Sequence, residues 1–146
     1  MKPLATELDE ATVAYVLETR KAFEDLRQVA AQLAGLLVLE AAGARSGIPG
    51  HPMLKSAVHL HAEAADAVQS ARATPRARRH HESLLRACSE IRAALAAARD
   101  TLAIDPILIP VRAAYAHLQA AGAELPGFEM VSFEHGCCAV PMRSTR

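Results

Sequence analysis

Residues 81–102 read HESLLRACSEIRAALAAARDTL, and within them His81, Leu84, Cys88, Ile91, Leu95, Ala98 and Leu102 recur at alternating intervals of three and four. An α-helix completes a turn in about 3.6 residues, so this spacing gathers those side chains into one seam. A seam of that rhythm is what a helix presents to neighbours lying nearly parallel to it, as in an antiparallel bundle or a coiled coil. Thr74-Pro75 stands just before it. Threonine can cap the free amides of a helix start, and proline lacks an amide that the first turn would leave unpaired. The segment therefore reads as a helix from about Pro75 to about Ala103.

The same pattern extends in both directions. Between Thr6 and Ala44, Val16, Phe23, Leu26, Ala30, Leu33 and Leu37 mark a longer amphipathic helix. Its stretch Leu33–Leu39 is apolar on nearly every side, as expected of a central core helix or of one shared with a second subunit. Gly43, Gly47, Pro49, Gly50 and Pro52 then interrupt the chain. A second helix is expected from Pro52 to about Arg72, with Leu54, Val58, His61, Ala65 and Val68 as its stripe. Asp105-Pro106 repeats the start signal for a fourth, in which Leu108, Val111, Tyr115 and Leu118 face one way. Pro110 suggests a short tight turn at its opening, and Gly122 is the expected C-cap. After the Pro126-Gly127 turn, residues 128–133 are extended in character.

The expected fold is all-α: an up-and-down four-helix bundle over residues 1–125, with a long first helix and a short extended C-terminal tail over 126–146. Phe128, Met130 and Phe133 are the anchors by which the tail would pack on the bundle. Of the 146 residues 51% are hydrophobic and 22% charged, the composition of a globular chain. Aromatic residues are 3%, with no tryptophan. A core rich in alanine buries little area per residue, so part of the stability is expected from a homodimer interface along Leu33–Leu39.

The formal net charge is zero. That disfavours nucleic acid as a partner, because neutralising a long polyanion normally requires a basic excess. Met1-Lys2-Pro3 leads straight into a polar segment, and no apolar run approaches the roughly 18 residues of a membrane span. The expected location is cytoplasmic, with reduced cysteines and no membrane partner.

Three groups of residues could carry chemistry. His135, Cys137 and Cys138 put three metal-ligating side chains within four positions. Cysteine and histidine suit zinc or copper, although adjacent cysteines depart from the usual chelating spacing and a fourth ligand would have to come from elsewhere. His59, His61 and Glu63 on the second helix are the candidates for further ligands. His59 and Glu63 lie one turn apart on a shared face, whereas His61 falls on the apolar stripe and reads more simply as a core residue. His81 poses the same question. The third group is basic: Arg76, Arg78 and Arg79 at the start of the third helix could hold an anion. Cys88, between Leu84 and Ile91 on the seam, reads as a small buried hydrophobe.

Several helical-bundle chemistries are excluded. No glutamate has a histidine three residues later, as a carboxylate-bridged di-iron site requires. There is no Cys-x-x-Cys-His haem attachment, no glycine-rich phosphate loop and no Gly-x-Ser-x-Gly turn. The expected function is a small cytoplasmic, dimeric binding protein, its ligand a partner protein, a metal or a small molecule. The alternative is a metal- or thiol-dependent enzyme or sensor using the His135/Cys137/Cys138 tail.

Overall fold

The computed structural model describes residues 7–43, 47–100 and 103–130. Within them the chain forms α1 (Glu10–Ala41), α2 (Pro52–Ser70), a single 3₁₀ turn (Pro75–Ala77), α3 (Arg78–Asp100) and α4 (Asp105–Glu124), and no strand. The four helices pack on one another as an all-α, up-and-down bundle with a long first helix. At 32 residues α1 is about 48 Å long, against about 28 Å for the 19 residues of α2. α3 and α4 pack together most extensively, followed by α1 and α2, and the α2/α3 seam is thinner than either.

The buried faces are wider than a single seam. α1 buries Thr12, Tyr15, Thr19, Ala22, Leu26, Val29, Leu33 and Leu36 at intervals alternating three and four, and Phe23, Ala30 and Leu37 form a row beside them. α3 does the same with His80, Leu84, Ala87, Ile91, Ala94 and Ala98, flanked by Cys88 and Leu95. The deep histidine of α3 is thus His80, fully buried, and not His81, which is half-buried. The cause lies one turn earlier. The 3₁₀ turn puts Ala77 into the core, and three residues on from it the chain presents His80.

Leu33, Leu36 and Leu37 are buried within their own bundle, so they are not free to form a subunit interface. Of that apolar stretch only Val38 and Leu39 remain exposed.

The helix starts are capped by local side chains. Asp9 accepts from the Thr12 amide at 2.8 Å, His51 from the Met53 amide at 3.1 Å, and Thr74 from the Ala77 amide at 3.3 Å. α4 differs from expectation in three ways. Asp105 is its first helical residue and not its cap, and no side-chain cap bond is made there among the described residues; the acid in the first turn complements the helix dipole instead. Pro110 lies inside a continuous helix, buried. It is near enough to the start that only its single amide bond is forfeited. Gly122 is not a C-cap, since the helix runs on to Glu124. A Cβ at this position would collide with the carbonyl oxygen of Phe128.

That close approach places the end of the described chain. Gly127, at φ +95°, adopts a backbone conformation that only glycine takes without strain. It turns Phe128 back into the bundle, where the ring is fully buried. Phe128 meets Phe23 edge-on, with centroids 5.2 Å apart, and lies against His80 at 4.0 Å. Met130 packs half-buried on the core. Phe133, the third expected anchor, lies outside the described residues.

Candidate functional site

The thin α2/α3 seam is joined by two histidines. His61 on α2 donates through Nε2 to the Cys88 carbonyl on α3 at 2.9 Å, and His81 on α3 donates through Nε2 to the Val68 carbonyl on α2 at 2.8 Å. Beside these bonds the two helices part into a cleft of about 330 Å³. Val58, Ala62, Ala65, Leu95 and Ala96 give it an apolar lining. The alanines are the reason the cleft exists: they belong to helical faces that meet here, but they are too short to fill the space between the backbones. His61, Asp66, Gln69, Arg92 and Arg99 supply its polar groups.

A second hollow of about 370 Å³ adjoins the first and shares Val58 and Arg99 with it. Lys55, His51 and the Pro49–Pro52 turn close its other side. Arg92 and Arg99 are seven residues apart, two turns on one face of α3, or about 10 Å. The ion pairs among the described residues are Lys21–Asp25, Arg27–Glu24 and His59–Glu63, so Lys55, Arg92 and Arg99 have no carboxylate partner there. Burial holds the imidazole of His61 below its ordinary pKa; the hydrogen bond to Cys88 opposes this and the charge of Arg92 adds to it.

A separate polar group sits deep at the opposite end of the bundle. The Tyr15 hydroxyl and His80 Nδ1 are 2.9 Å apart, both fully enclosed, while His80 Nε2 is buried without a hydrogen-bond partner among the described residues. Burial, with the neighbouring His81 adding to it, lowers the His80 pKa to about 4. Burial also raises the Tyr15 hydroxyl above the usual tyrosine range. Both side chains are fully buried, so this pair is part of the packed core.

The residues singled out from sequence are dispersed. His59 and Glu63 pair at 3.3 Å on the exposed face of α2, while His61 turns inward to α3, so the three do not converge. Among the described residues no group of three histidine, cysteine, aspartate or glutamate side chains could hold a metal ion. His135, Cys137 and Cys138 lie outside the described residues. Cys88 is buried, and its thiol is pushed up to about 11, which leaves almost no thiolate for chemistry at neutral pH. Arg76, Arg78 and Arg79 are all exposed around the 3₁₀ turn. Arg76 borders a small hollow with Glu7 and Asp9, so acids of the chain itself already face its charge.

Sequence reasoning did not single out Arg92, Arg99 or Lys55, which read individually as ordinary solvent-facing positions. The available signal was their company, two arginines at a seven-residue interval on a helix whose facing neighbour carries Ala62 and Ala65. Among the described residues no helix is long and apolar enough to cross a membrane. No family model, curated protein or solved structure matches the chain, so its chemistry must be read from its own geometry.

Proposed function

We propose that this chain is a small-molecule-binding helical bundle that works as a homodimer, with the α2/α3 cleft as its ligand seat. The observation that carries the reading is the cleft itself. It is a concave space that joins an apolar strip of Val58, Ala62, Ala65, Leu95 and Ala96 to polar and charged side chains, in the size range of small-molecule sites. Its walls belong to two helices of the bundle, which supports a pre-formed seat.

The test uses N-phenyl-1-naphthylamine, a neutral apolar dye that brightens when removed from water. The expected result is saturable binding of one dye per chain. Ala62→Phe combined with Ala96→Phe should weaken that binding by about tenfold or more, because two new rings occupy the space. Both alanines are exposed, so the double variant should keep the wild-type helical circular dichroism. Absence of saturable binding to the wild type, or unchanged binding to the filled variant, would remove the cleft as the seat.

The dimer rests on a different feature. Val38 and Ile109 are 68% and 67% exposed, and with Leu39 they stand at the end of the bundle where α1 finishes and α4 begins. These are the side chains that a second copy would cover. Light scattering should return a mass near twice 15.6 kDa, falling to one chain for Val38→Glu with Ile109→Glu. A wild-type monomer at micromolar concentration would dispose of the dimer and leave the cleft untouched.

A further inference from the structure

We propose that the ligand of the α2/α3 cleft is an amphipathic organic anion, with its carboxylate or phosphate head between Arg99 and Lys55 and its apolar body along Val58 and Leu95. This rests on the cleft being the ligand seat and adds the chemical class of what occupies it.

The two hollows form one path. Val58 and Arg99 line both, so a single elongated molecule can lie across them. The first hollow sets the apolar side chains of Val58, Ala62, Ala65 and Leu95 beside Arg92 and Arg99. The second brings Lys55 of α2 to the same space as Arg99 of α3. Of the charged side chains along the path, Lys55, Arg92 and Arg99 are cationic and Asp66 alone is acidic.

Like charges gathered in one concave space repel each other, and among the described residues none of these three is relieved by an ion pair. An anion placed there removes that repulsion and gains charge-assisted hydrogen bonds. The guanidinium of Arg99 can meet a carboxylate or a phosphate with two parallel donors, and Lys55 adds a point charge. The site is half-open, so charge pairing alone gives only modest affinity. The larger share comes from apolar surface removed from water along Val58 and Leu95. A charged head and an apolar body are therefore both required.

The experiment displaces the bound naphthylamine dye with three eight-carbon competitors that differ only at the head: octanoate, octyl phosphate and 1-octanol. At least one anion should displace the dye at about a tenfold lower concentration than octanol. Which anion does so identifies the head group. Lys55→Gln with Arg99→Gln should bring the anions level with octanol, whose own displacement of the dye is the reference within each variant. Octanol matching both anions on the wild type overturns the proposal while the ligand seat stands. An anion preference that survives in the double variant also overturns it. Failure of the dye to bind at all removes the seat, and this proposal with it.

Discussion

Phe128→Ala should lower the unfolding free energy by about 3–5 kcal/mol, as for a large ring deleted from a packed core. The size of the effect is notable because Phe128 lies beyond α4, outside the four helices of the bundle. Here the ring is fully enclosed, edge-on to Phe23 and against His80. Removing it opens a cavity between α1 and α3 beside the buried imidazole of His80. Urea denaturation followed by helical circular dichroism measures the loss.

Gly122→Ala gives an independent check by sign. In an unobstructed helix this change stabilises by about 1 kcal/mol. In this chain the added methyl meets the Phe128 carbonyl oxygen, so the segment must move and the variant should be less stable than the wild type. A stabilised Gly122→Ala protein, together with a Phe128→Ala loss below about 1 kcal/mol, would mean that the segment does not dock.

The second large effect is a pH dependence centred on His80. Its ordinary pKa is 6.5, and burial takes it to about 4 in the folded chain. The folded state therefore holds this proton less tightly than the unfolded state does. The stability is complete above pH 6.5 and is lost as pH falls from there through about 4, because acid favours the form that can take up the proton. The full interval corresponds to about 3 kcal/mol. The groups facing the ring are the Tyr15 hydroxyl, His81 and Phe128, and none supplies a negative charge to offset protonation.

His61, also depressed by burial, adds a contribution of the same sign, so the informative quantity is a difference. Denaturation of the wild type and of His80→Gln at a series of pH values between 7 and 4 provides it. Glutamine can still bond to Tyr15 but does not titrate in this range. The wild type should lose more stability than the variant across the interval. Parallel curves would show that His80 is not the group responsible.

Much of this architecture was legible in the residues. Pro52 and Thr74-Pro75 mark real helix starts because capping is decided by neighbours in sequence. The alternation of three and four between Leu84 and Ala98 fixes a buried face whatever the partners are. The position of His61 on the stripe of α2 favoured the interior over a ligand role, and the side chain is buried there. What could not be read depends on contacts made across the bundle. Adjacent histidines at 80 and 81 look alike until the 3₁₀ turn sets the phase of α3. Gly122 resembles a cap in sequence, and only the returning Phe128 gives it another purpose. The cleft was invisible because alanine satisfies an apolar pattern without filling the space that the pattern implies.

The crossed bonds of His61 and His81 have a consequence for alignment. Rows of alanine look much the same one turn up or down, so α2 and α3 carry little steric information about how far one should slide along the other. A one-turn slip would pull both imidazoles away from the Cys88 and Val68 carbonyls together, leaving polar groups dehydrated at about 1–3 kcal/mol each. The two histidines index the helices against each other, as a single buried polar residue does in a coiled coil. They contribute little net strength but penalise every neighbouring alignment, and so they hold open the cleft beside them at one fixed shape.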